Sequence, residues 1–93
     1  MIMSEYNAKI AARLNAAIRD FETELLTLDE IQAALQSAIS LFENDRSRVS
    51  ELVRLAEVDL EEIQFTVLAA EQRPAAIFRL ARLRASLVEL SSG

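Results

Sequence analysis

Between Val49 and Ala70, apolar residues recur at spacings of four and three: Val49, Val53, Ala56, Leu60, Ile63, Val67 and Ala70. This rhythm draws one unbroken apolar stripe along a helix, and a stripe of that length needs other elements to cover it. The chain supplies three. Ile10, Leu14, Ile18, Phe21 and Leu25 keep the rhythm near the start, joined by Tyr6 upstream, and Leu28, Ile31, Leu35, Ala38, Ile39 and Phe42 follow. Ala76, Leu80, Leu83, Leu87 and Leu90 close the chain, with Ile77, Phe78, Ala81 and Val88 widening the last face. The pattern predicts an all-α fold: a compact antiparallel bundle of four helices over about residues 4–26, 28–43, 47–72 and 75–90, with the third at its centre. Residues 1–93 read as a single helical domain with 1–3 and 91–93 as disordered ends.

The residues between the stripes fit these boundaries. Ser4 suits an N-cap, with Glu5 in the first turn where a negative charge meets the positive end of the helix dipole. Thr27-Leu28-Asp29-Glu30 is a capping box, and Leu26 and Ile31 have the spacing of a hydrophobic staple. Glu43 to Arg48 is the most polar run in the chain, and its Asn44, Asp45 and Ser47 favour turns and caps. It predicts a loop, although no Gly or Pro enforces one and a helix continuous from residue 28 to 72 is the alternative. Pro74 restricts Arg73 and suits a first helical turn, which sets the last boundary there.

Composition supports helices, since the 93 residues hold one Gly and one Pro. A chain this short builds a modest core that a second chain would complete, and a homodimer is expected. Neither a signal peptide nor an apolar run near 20 residues opens the chain, which reads as soluble and cytoplasmic, without a membrane partner.

The absence of Cys and His removes thiolate chemistry, the commonest general base and the commonest transition-metal ligand. Lys9 is the sole Lys and Gly93 the sole Gly, so neither a hydrolytic triad nor a phosphate-cradling loop can be assembled. No catalytic residue, cofactor or metal is therefore assigned, and no small-molecule substrate is expected. Glu57 and Glu61 share a helical face, but no Glu-x-x-His motif completes a di-iron site and no calcium loop is present.

Charge is unevenly divided. Residues 51–72 hold six acids against one Arg, whereas residues 73–93 hold four Arg against one Glu, within a formal net charge of −5. An antiparallel hairpin turning at Arg73 would lay Arg82 and Arg84 alongside Glu61 and Glu62. Nucleic acid is not expected: the net field repels phosphate, and the Arg-bearing helix is mostly apolar rather than a recognition helix.

Val58 and Phe65 break the core pattern. They lie about 160 to 180 degrees around the wheel from Val49, pointing away from the main stripe, with Leu55 between. Apolar residues at helical spacing ordinarily join a core, here that of the bundle or of its dimer. If exposed, Val58 and Phe65 with Phe78, among Glu57, Asp59, Glu61 and Glu62, have the form of a protein-binding site for a basic partner. Val58, Glu61, Glu62 and Phe65 are the predicted protein-binding residues, in a non-catalytic module that associates with itself or with another protein.

In size, helicity and acid-rich surface the chain resembles the immunity proteins that neutralise bacterial nuclease toxins. Their paired-tyrosine recognition motif is absent, because Tyr6 is the only Tyr. That resemblance implies an alternative function, an immunity- or antitoxin-type inhibitor whose acidic helix neutralises a basic toxin. A third reading is a small helical enzyme. The chorismate-rearranging mutases are similar in length and helicity, but their basic pattern does not align onto Lys9, Arg13, Arg46, Arg48 and Arg54.

Overall fold

The computed structural model describes residues 3–92; Met1, Ile2 and Gly93, expected in disordered ends, lie outside the described residues. Four helices occupy the described chain: α1 (Glu5–Glu22), α2 (Leu28–Leu41), α3 (Val49–Thr66) and α4 (Ala69–Ser92). The principal contacts join α1 to α2, α2 to α3, α3 to α4 and α4 back to α1, closing a ring around one core. The Cα radius of gyration is 12.7 Å, close to the about 12 Å of a compact chain this long.

The ring encloses most of each stripe, but Tyr6, Leu25 and Ala70, read as parts of the stripes, are exposed: Leu25 falls in the turn after α1 and Ala70 in the first turn of α4. Ile10, Leu14, Ile18 and Phe21 of α1 meet Ile31, Leu35 and Ala38 of α2. Val49, Val53, Ala56 and Leu60 of α3 join Ala76, Leu80, Leu83 and Leu87 of α4 in the same cluster. Met3, placed by the sequence in a disordered end, is buried, and its amide donates to the Leu90 carbonyl at 3.3 Å. Helix α4 likewise continues through Ser91 and Ser92, where a frayed tail was expected.

Helix starts follow the sequence more closely than helix ends. Ser4 Oγ accepts from the Asn7 amide at 3.2 Å. Thr27 Oγ1 accepts from the Glu30 amide at 3.1 Å while Glu30 Oε1 accepts from the Thr27 amide at 2.8 Å, completing the capping box. By contrast α1 stops at Glu22 rather than at residue 26. Glu24 takes a left-handed conformation (φ 66°), and the Leu25 amide turns back to the Asp20 carbonyl at 2.8 Å while the Glu24 amide reaches that of Phe21 at 3.1 Å. These are the two bonds of a Schellman closure, with Glu in the position where Gly is usual.

The third boundary needs the largest correction. Helix α3 ends at Thr66, and α4 begins at Ala69, so Pro74 lies inside α4 instead of opening it. Val67 is extended, and the Gln72 side chain reaches back to the carbonyls of Gln64 (3.2 Å) and Val67 (2.9 Å). That bridge supplies donors to helix-end carbonyls that would otherwise have none. Pro74 leaves the Ala70 carbonyl without its helical donor, which is tolerable because Ala70 is exposed.

Between α2 and α3 the polar run forms the predicted loop, which rules out the continuous helix. Arg46 (φ 70°) and Arg48 (φ 62°) both turn left-handed there. The loop is tied to α1 by two side chains. Buried Asn7 donates to the Glu43 carbonyl at 2.8 Å and accepts from the Glu43 amide at 2.9 Å. Asp45 accepts from the Ser4 amide at 2.6 Å, and from the Ser47 amide at 2.9 Å and the Ser47 hydroxyl.

Candidate protein-binding surface

Because α3 is covered by α2 on one flank and α4 on the other, the side of α3 opposite the core stripe is left to solvent. Arg54, Leu55, Val58, Glu61, Glu62 and Phe65 form this outer ridge, and all six are exposed. Phe65 retains 82% of its accessible surface, Leu55 53% and Val58 50%. Phe78 stands on α4 with 74% exposed. Burial of Val58, Phe65 and Phe78, their ordinary fate at helical spacing, does not occur within the single chain. The wheel angle explains this: a helix with its core stripe on one side turns the residues at about 180° outward.

The acids of α3 divide into two groups. Those on its flanks are already held: Glu57 accepts from Gln32 at 2.9 Å and from Gln36 at 3.1 Å, and Asp59 pairs with Arg79. At the N-terminal end Glu51 pairs with Arg48 at 2.6 Å. Glu61 and Glu62, on the ridge, have no ion-pair partner among the described residues, and neither has Arg54.

The expected pairing of Arg82 and Arg84 with Glu61 and Glu62 does not form. Moving the α3–α4 turn from Arg73 to Val67–Leu68 shifts the register of the two helices, so that Arg79 meets Asp59 and Arg84 turns to α1, bonding Glu22 at 2.9 Å. Arg73 is also occupied. Its guanidinium donates to the Phe21 carbonyl and to that of Leu26 (3.3 Å), and lies 4.3 Å from the Phe21 ring centroid. Of the four Arg of α4, Arg73, Arg79 and Arg84 therefore act as internal ties.

Beside the ridge, Leu52 and Leu55 of α3 and Arg79, Arg82, Leu83 and Ser86 of α4 line a shallow groove. A second groove runs along the α2–α3 loop past Asp45. Partial burial pushes the Asp45 carboxyl up, but the hydrogen bonds from Ser47, the Ser4 amide and Asn7 outweigh it and hold the pKa well below the usual carboxylate range. Among the described residues no three His, Cys, Asp or Glu side chains gather as a metal site, and no helix is long and apolar enough to cross a membrane.

Asn7 and Arg73 are functional to the architecture in roles that the sequence did not assign to them. Asn7 had a visible signal: it lies in the buried stripe between Met3 and Ile10, the one polar residue there. Arg73 had none, since its partners are backbone carbonyls far away in sequence. No protein-family model, curated protein or solved structure matches this chain.

Proposed function

We propose that this chain is a non-catalytic protein-binding module of the cytoplasm that docks through the outer ridge of α3, with Val58 and Phe65 as apolar anchors and Glu61 and Glu62 as their charged rim. The exposure of Phe65 is the observation that carries this reading. An aromatic ring left in water on a helix whose other faces are packed is costly unless another surface covers it, and aromatic anchors dominate binding at interface centres. The antiparallel arrangement of the bundle is supported by the tie of Asp59 to Arg79 and by the groove in which Leu52 and Leu55 lie beside Leu83 and Ser86.

Substituting Val58→Asp and Phe65→Asp tests the site. Binding, read by light scattering for self-association and by pull-down for another protein, is expected to weaken at least about tenfold. Circular dichroism is expected to show unchanged helicity, because both positions are exposed; unfolding of either variant would make them core residues and end the proposal. The second reading, an inhibitor covering a basic toxin, draws support from Glu61 and Glu62 being unpaired, and a toxin gene beside this one is the observation that would favour it.

A further inference from the structure

We infer that the occupant of the α3 ridge is a second copy of this chain, seated two-fold about the level of Val58; the inference rests on the ridge being a protein-binding surface. Charge symmetry points to it. Arg54 lies four residues before Val58, and Glu61 and Glu62 lie three and four after it. At about 1.5 Å per residue this places one positive charge about 6 Å to one side of Val58 and two negative charges about 4.5 to 6 Å to the other. All three side chains are exposed and lack an ion-pair partner among the described residues.

A two-fold axis at Val58, perpendicular to α3, runs the second α3 in the opposite direction. Arg54 of each copy then comes level with Glu61 and Glu62 of the other, and every contact is made twice. On a wheel of 100° per residue, Arg54 and Glu61 also lie on the same flank of Val58, about 40° and 60° from it. That is the flank such an axis brings together. Glu62 lies about 40° to the other side, so Glu61 is the close partner and Glu62 adds only to the field at that level. Glu51, at the Arg54 end, does not compete because Arg48 already neutralises it. Val58 of one copy meets Val58 of the other at the centre, and Phe65 of each covers the turn Glu51–Leu55 of its counterpart. A uniformly basic partner is repelled by Arg54 and a uniformly acidic one by Glu61 and Glu62. The same ridge turned end for end satisfies both signs.

The solution mass of the full chain, measured by light scattering behind size exclusion from about 1 μM to about 1 mM at low and high salt, is expected to show a dimer that salt weakens without abolishing. Arg54→Glu, and separately Glu61→Arg with Glu62→Arg, are each expected to raise the dimer dissociation constant about tenfold, since like charges then face each other twice. An equimolar mixture of the two variants is expected to recover the wild-type mass as a heterodimer. Val58→Asp abolishes the dimer, with helicity by circular dichroism unchanged. A monomer throughout overturns the second copy and leaves the ridge reading standing for a different protein. A dimer lost in Val58→Asp but indifferent to both charge reversals overturns the two-fold register alone. A dimer indifferent to all the variants uses another face and overturns the ridge as well.

Discussion

Asn7 and Asp45 show how much of this architecture depends on single polar atoms. Asn7 is fully buried and pairs with both backbone groups of Glu43, which satisfies its own side-chain amide where a buried polar group left unpaired costs about 1–3 kcal/mol. Asp45 joins the first residue before α1 to the loop before α3. Its lowered pKa has a direct consequence for acid stability. A carboxylate with a folded pKa below its unfolded value of about 3.9 contributes stability above that pH, and the contribution is lost as pH falls toward the folded value. Asp45→Asn is therefore expected to be less stable than wild type at pH 7, with the difference shrinking as pH is lowered from about 5 to about 2. Urea denaturation at a series of pH values reads this; a difference that stays constant would mean Asp45 does not hold its proton linkage in the loop.

The first two helices began where local chemistry said they would, whereas the end of α1, the end of α3 and the start of α4 were put elsewhere by tertiary contacts. A cap such as Thr27 with Glu30 is written within four residues, so it is legible in the sequence and forms as read. The end of α1 is not, because Glu24 has no intrinsic preference for the left-handed conformation it adopts. A residue with a Cβ pays about 1–2 kcal/mol there. Glu24→Gly removes that strain and returns about 0.5–1 kcal/mol to the entropy of the unfolded chain, so a net gain of about 0.5–1 kcal/mol is expected. It would appear as a higher denaturant midpoint at unchanged slope, and a lower midpoint would mean the turn relaxes without strain. Pro74 misled for a related reason: a proline past the first turn is disfavoured but survives when the freed carbonyl, here of Ala70, faces water.

At the scale of the molecule, the arginines of α4 decide how the ring closes. Arg73 fastens the start of α4 to the α1–α2 turn, Arg79 sets its register on α3, and Arg84 holds it against α1. Arg73→Ala loses charge-assisted bonds to the Phe21 and Leu26 carbonyls together with the ring contact, and is expected to cost about 2 kcal/mol. Lys at the same position is expected to recover less than half of that, since it lacks the planar fork that spans two carbonyls. Chemical denaturation of the two variants checks the pair, and full recovery by Lys would show that charge alone suffices. With Arg73, Arg79 and Arg84 engaged internally, only Arg82 of the four arginines of α4 stays exposed without an ion pair among the described residues, whereas on the α3 ridge Arg54, Glu61 and Glu62 stand unpaired beside exposed apolar residues.

The sequence by itself determined the number of helices, the stripes that form the core, the α1 and α2 caps and the loop before α3. All of these follow from interactions within a few residues or from a periodicity that any buried helix must obey. Tertiary structure decided where α1 and α3 stop, which helix each arginine reaches, and whether Val58 and Phe65 lie inside or outside. Those depend on the register of helices distant in sequence: moving one turn by a few residues changed every cross-helix charge pair. Periodicity marks two apolar faces on α3, but only the positions of α2 and α4 determine that one of them remains uncovered.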